Sequence, residues 1–200
     1  MDQSIITELR ELLELEQSVH AMWIGGSVAQ GTQDELSDID VWFDVEDGQE
    51  KYVLEKIEQF LRSKDEIDVN FSEGITAPFT HVVYHLSHMD ALHFIEINIH
   101  SHSHKFGLFD TLRKIKVVFD KSGVTNFEPL DQLVYDKMLG ERADYLRRQI
   151  EIGYLSLEKE IKRGNFPEAM HNYQFWLLEP TIELLRIKYA PLKIAYGLKH

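Results

Sequence analysis

Residues 22–43, MWIGGSVAQGTQDELSDIDVWF, constrain this chain more than any other stretch. The apolar run Met22-Trp23-Ile24 leads into Gly25-Gly26-Ser27, and Asp38-Ile39-Asp40 is followed at once by Val41-Trp42-Phe43. The pattern predicts a strand, a tight glycine turn, a short helix and a second strand carrying two carboxylates. In a strand, residues i and i+2 share a face. Asp38 and Asp40 are therefore expected to project together while Ile39 and Val41 pack inward. Two like charges held side by side repel unless something positive lies between them. A divalent cation carrying a phosphate fits, because hard cations take oxygen ligands. The turn suits the same ligand, since backbone amides approach a phosphate closely only where no Cβ intrudes. Ser27 adds a hydroxyl donor.

Two neighbouring phosphate-binding patterns fail. Gly26 to Gly31 has the glycine spacing of a P-loop, but Thr32 stands where the phosphate lysine belongs. No GxGxxG follows a candidate strand, which leaves a dinucleotide site unsupported. A surface turn beside an acidic edge strand is the plain alternative.

The series apolar-Gly-Gly-Ser, ten residues, then Asp-apolar-Asp-apolar resembles the signature of the DNA polymerase β-type nucleotidyltransferase superfamily. The resemblance implies that Gly25, Gly26 and Ser27 bind a nucleoside triphosphate, ATP as donor, and that Asp38 and Asp40 hold catalytic Mg2+. In that superfamily a third acid comes from the strand beside the Asp-x-Asp strand. It binds metal in polymerases and acts as a base in transferases that inactivate aminoglycosides and lincosamides.

The stretch LHFIEINIH, residues 92–100, alternates cleanly, with Ile95, Ile97 and Ile99 on the inward face and Glu96 on the other. A carboxylate in mid-strand is disfavoured by β-propensity alone. Glu96 matches the base by residue type and position; a surface glutamate is the competing reading, and Asp68 is the rival acid. One departure from the family stands at Gln30, where many relatives carry Arg or Lys. Arg186, Lys188, Lys193 and Lys199 are candidates for compensating charge, or belong to a solvated helix face.

At 200 residues, 44% of them hydrophobic, the chain has room for one ordinary domain and a smaller one. It has no cysteine, which removes disulfides and thiolate metal sites. The formal net charge is −13. Proteins that hold long nucleic acids show a basic stripe against the phosphates; none is evident, so no nucleic-acid partner is expected. The start, MDQSIITELRELLELE, lacks a basic-then-apolar signal pattern, and no apolar run is long enough to span a bilayer. A cytoplasmic protein without a membrane partner is expected.

Apolar periodicity predicts helices over residues 3–18 and 50–63, a strand over 65–71, a hairpin with arms 79–86 and 92–100, and a last strand and turn over 114–123. Asp120-Lys121-Ser122-Gly123 reads as a structural turn. His100, His102 and His104 alternate in IHSHSH, a spacing that can bind a transition metal. A strand end is the commoner meaning, and His81, His85, His88 and His93 read as structural.

Near Glu128-Pro129 the pattern becomes purely helical. Leu139, Ala143, Leu146, Ile150, Tyr154, Leu157 and Ile161 suggest the stripe of a long bundle helix. A second helix carries Met170, Tyr173, Trp176 and Leu177 and meets Pro180, which kinks it or starts a new segment. Residues 147–189 resemble the helical domain of small-molecule adenylyltransferases.

The expectation is an α/β (α+β) nucleotidyltransferase domain with a mixed sheet over residues 1–126, then an all-α helical bundle over 127–200. Such a protein would be a metal-dependent nucleotidyltransferase moving AMP from ATP to a hydroxyl of a small molecule, with antibiotics such as aminoglycosides or lincosamides as candidates. The resemblance also implies a homodimer. Two rival readings are a catalytically inactive nucleotide-binding module and a minimal nucleotidyltransferase of a toxin–antitoxin pair. In the latter, Arg163 to His171 is too widely spaced for the partner ribonuclease's Arg-to-His motif.

Overall fold

The computed structural model describes residues 4–76 and 79–196. The chain divides into two compact units, Met1–Gly107 with Lys114–Glu128, and Leu108–Arg113 with Pro129–His200. In the first unit run α1 (Ser4–Leu13), β1 (Val19–Ile24), α2 (Gly26–Gln30), β2 (Ile39–Val45), α3 (Glu50–Lys64), β3 (Ile67–Thr76), β4 (Phe79–Leu86), β5 (Ile95–Ser101) and β6 (Lys116–Asp120). The six strands form one mixed sheet in the order β3-β4-β5-β2-β1-β6. Only β2 and β5 run parallel; the other pairs are antiparallel.

One sheet face carries the core. Ile39, Val41, Phe43 and Val45 of β2 and Ile95, Ile97 and Ile99 of β5 are buried there with Ile5, Leu9 and Leu13 of α1 and Val53, Ile57 and Leu61 of α3. The spacing of the helix residues is the apolar stripe expected of a helix lying on a sheet. Helix α1 ends at Leu13, short of residue 18, because the chain must turn back into β1. Lys121 Nζ donates to the Glu14 and Glu16 carbonyl oxygens at 3.1 and 2.7 Å, satisfying acceptors of the turn that joins α1 to β1. The Asp120 carboxylate, on the same turn, accepts from the Ser122, Gly123, Val124 and Thr125 amides and from the Thr125 hydroxyl. Burial works against its charge, yet the Thr125 bonds and the amides outweigh this and hold it below the usual carboxylate range.

The second unit contains α4 (Leu108–Thr111), α5 (Gln132–Lys162), α6 (Phe166–Asn172), a π-helical turn over Tyr173–Leu178, α7 (Glu179–Tyr189) and a 3-10 segment, Pro191–Tyr196. Asp131 caps α5, its side chain accepting from the Leu133 and Val134 amides. Helix α5 packs against α6, the π-helical turn and α7. Its buried positions include Leu139, Ala143, Leu146, Gly153 and Glu160, a near seven-residue repeat. Tyr154 and Ile161, expected in that stripe, are 58% and 51% exposed. An ideal helix drifts relative to a seven-residue seam, so a stripe extrapolated over six turns slips sideways. Gly153 holds the seam instead, because a Cβ there would come within 2.4 Å of Trp176 Cβ.

The expected stripe of the next helix also shifts. Met170, Tyr173 and Trp176 are exposed, while Ala169 and Asn172 are buried. Pro180 sits in the first turn of α7, directly after the π-helical turn. A proline ring crowds the carbonyl four residues before it, and the wider π turn gives that carbonyl room. Among the described residues, no helix is long and apolar enough to cross a membrane.

Candidate active site

The glycine turn is pressed directly onto β2. Gly25 N–H donates to the Asp40 carbonyl at 3.0 Å, which continues the β1–β2 ladder past the end of β1. Gly26 has φ +57°, and a Cβ at that position would stand 1.7 Å from Asp40 Oδ2. Any side chain there would displace the carboxylate. Gly25 is fixed by a second neighbour, since its Cβ would come within 2.7 Å of Trp42 Nε1. Both glycines thus have a packing reason, and the result is a backbone turn lying against an acid. Ser27, in the first turn of α2, accepts the Thr32 N–H on its carbonyl at 3.0 Å, which folds the loop back. Ser27 and Gln30 are both half-buried.

Asp40 stands beside Glu96 in the parallel β2–β5 register. Their strand neighbours Ile39, Val41, Ile95 and Ile97 belong to the core, so the two acids share the opposite face of the sheet. Both are half-buried. Asp38 lies one residue before β2, not within it. Its Oδ1 accepts the Phe94 N–H at 2.8 Å, and the Ile39 N–H donates to the Phe94 carbonyl at 3.0 Å. The approach to β5 therefore orients Asp38, where two-residue strand periodicity alone was expected to do so.

Across β4, His81 Nε2 lies 3.5 Å from Glu96 Oε2. His81, read from sequence as structural, is thus a neighbour of the site. Alternation along β4 opposite β5 was the signal that would have found it. Asp68, the rival acid, is engaged elsewhere. It sits on β3, three strands from β2 in the sheet, with Oδ1 2.6 Å from His85 Nδ1. The Asp68 hydrogen bond and an accepting Asp90 carbonyl push the His85 pKa up against partial burial.

Below the acids the same sheet face is aromatic. Trp42 stacks on Trp23, Phe79 and His100, with ring centroids 5.2–6.3 Å apart. His104 stacks on His100 at 4.7 Å. These packed rings give the acid end of the face a rigid floor. They also absorb two histidines of IHSHSH.

Carboxylates set close together beneath a backbone turn suit a hard divalent cation carrying phosphate oxygens. This sheet and this arrangement fit a transferase of the nucleotidyltransferase type. Residues 4–101 match a family model described as Nucleotidyltransferase domain, a span that includes the glycine turn and all three acids. Residues 4–101 thus form a nucleotidyltransferase domain. Among solved structures the chain is similar to the crystal structure of spectinomycin adenyltransferase AAD(9) from Enterococcus faecialis with ATP and spectinomycin. The TM-score is 0.42 at 10% identity, over 98% of this chain and 100% of that one. No curated protein matches the chain in sequence.

Proposed function

We propose that the protein moves AMP from ATP to a hydroxyl of a small molecule, with antibiotics such as aminoglycosides or lincosamides as the first acceptors to test. The observation that carries this reading is the placement of Glu96 beside Asp40 under the Gly25-Gly26 turn. In this reading residues 1–126 carry the chemistry and residues 127–200 form the helical bundle.

The triphosphate lies along Gly25, Gly26 and Ser27, where the Gly26 and Ser27 amides and the Ser27 hydroxyl meet its oxygens, the Gly25 N–H being held by the Asp40 carbonyl. Asp38 and Asp40 would hold Mg2+, which when bound neutralises the charge of the phosphates and of the departing pyrophosphate. The fit rests on hard oxygen donors on β2 and one residue before it, with the Asp40 carboxylate lying in the space that a side chain at Gly26 would fill. Glu96 accepts the proton of the acceptor hydroxyl as that oxygen attacks the α-phosphorus, and the bond to pyrophosphate breaks. Alignment and charge compensation supply most of the acceleration. A net charge of −13 supports a small acceptor over a nucleic-acid strand. The protein works in the cytoplasm in this reading.

The test is mass spectrometry after incubation with ATP, Mg2+ and a panel of aminoglycosides, lincosamides and metabolites. An acceptor heavier by one AMP, with pyrophosphate released in equal amount, is the expected result. ATP binding with no product from any acceptor in a broad panel would instead make the chain a nucleotide-binding module.

A homodimer belongs to the same proposal. The helical unit exposes many large apolar side chains, including Ile152, Leu155, Phe166 and Met170, more than scattered surface residues require. Light scattering is expected to give twice the 23.4 kDa chain mass; a monomer at working concentration would count against it.

A further inference from the structure

We propose that His20, Asp44 and His102 bind a divalent transition-metal ion of the Zn2+ class, at a site separate from the candidate catalytic acids. The three residues come from β1, β2 and the segment just after β5. Each offers one ligand atom, all within 4.8 Å of one another. The imidazoles of His20 and His102 are stacked, centroids 3.9 Å apart.

Asp44 makes the cluster more than a chance meeting of polar groups. It is 1% exposed, on a face otherwise packed with rings. Its Oδ1 lies 2.6 Å from His102 Nδ1, but its Oδ2 is buried with no hydrogen-bond partner. A buried carboxylate oxygen without a partner is costly. A cation between the carboxylate and the imidazoles offsets that cost.

The surroundings resemble a metal site's outer shell. Ser122 Oγ lies 3.1 Å from His20 Nδ1, so the ring is held from its far side. Outer contacts of this kind fix the orientation of ligating histidines. Glu46 Oε2 lies 2.9 Å from His20 Nε2, outside the three-residue cluster, and its exposed side chain swings away to free that nitrogen for the ion.

The donor set decides the ion. Imidazole nitrogens with carboxylate oxygens suit Zn2+, Ni2+, Cu2+ or Fe2+, whereas Mg2+ takes oxygens alone. Ligand atoms around a tetrahedral Zn2+ sit about 3.3 Å apart, so closing the cluster needs side-chain movement on the order of 1 Å. The His102 side chain is 37% exposed and has room to make it. Asp44 is four residues beyond Asp40 on β2, roughly 13 Å along the strand. The ion would therefore clamp three elements at the far end of the sheet, not act on phosphate.

The probe is Zn2+ alone, titrated calorimetrically into the full chain after chelator treatment, with thermal unfolding on the same samples. One equivalent is expected to bind at micromolar Kd or tighter. At about 100 times Kd the unfolding midpoint should rise by roughly 5–10 °C. His20→Ala and His102→Ala should each weaken binding at least about 10-fold while keeping the wild-type circular dichroism spectrum. Co2+ should give visible absorption bands in the wild type that His102→Ala loses. The Asp38→Asn, Asp40→Asn chain should bind Zn2+ as the wild type does. Binding weaker than about 100 μM would overturn the proposal. So would undiminished binding by both alanine variants, which would place the ion on others of the ten histidines.

Discussion

Glu96→Gln is expected to slow AMP transfer by about 10²–10⁴-fold, the usual contribution of a general base, with ATP–Mg2+ affinity close to that of the wild type. Glutamine keeps the size and hydrogen-bonding capacity of the side chain but cannot take the acceptor proton. The fold should tolerate the change. Glu96 is half-buried, and its parallel neighbour Asp40 carries a like charge, so removing one charge relieves repulsion. His81, 3.5 Å from the Glu96 carboxylate, retains a polar neighbour in the variant. Nucleotide binding and transfer measured on one preparation separate three roles. A base loses transfer alone. A metal ligand of the polymerase kind loses ATP–Mg2+ affinity together with turnover. A surface glutamate loses neither, and near-wild-type transfer would refute the assignment.

The parts of this fold that sequence made legible are those set by short-range periodicity. Alternation in Ile95-Glu96-Ile97-Asn98-Ile99 separates a core face from a polar face, and all three isoleucines lie in the core. The Val53, Ile57 and Leu61 spacing likewise fixes which side of α3 meets the sheet. The turn at Gly25-Gly26 was legible as a turn, but its glycines answer to Asp40 and Trp42, which only the folded register brings near. Asp38 shows the same limit, because its orientation depends on the Phe94 amide 56 residues away. The IHSHSH tract offered three histidines at a spacing that can bind a metal, with a strand end as the commoner reading. In the structure His100 and His104 stack with each other, while His102 turns to Asp44 and His20. Strand order, which no local pattern encodes, sorts those histidines. The long stripe of α5 failed for a different reason, the accumulated drift between helix pitch and a fixed seam.

The double variant Asp38→Asn, Asp40→Asn is expected to lose at least about 100-fold in Mg2+-dependent ATP affinity. Outer-shell partners of a bound metal already cost about 10–100-fold when removed, and these two side chains are the proposed direct ligands. The structure adds an expectation about stability that runs the opposite way. Asp40 and Glu96 are like charges in adjacent register, an arrangement that destabilises a sheet. Without metal, the neutral amide introduced by Asp40→Asn removes that repulsion. Asp38→Asn keeps a side-chain oxygen to accept the Phe94 N–H, now bonded to Asp38 at 2.8 Å, so the approach to β5 stays tied. The metal-free variant should therefore unfold at the wild-type temperature or up to about 3 °C above it. Added ATP and Mg2+ should then raise the wild-type midpoint and leave the variant's where it was. A site kept for function, at some cost in stability, shows this inversion. Structural aspartates behave otherwise: their loss lowers the midpoint in metal-free buffer and leaves ligand binding intact. Calorimetric titration with ATP in Mg2+ and in chelator, beside melting curves of both proteins, reads the two signs together. Unchanged Mg2+-dependent affinity in the double variant would remove the metal from Asp38 and Asp40 and leave Glu96 without the partner charge its proposed role requires.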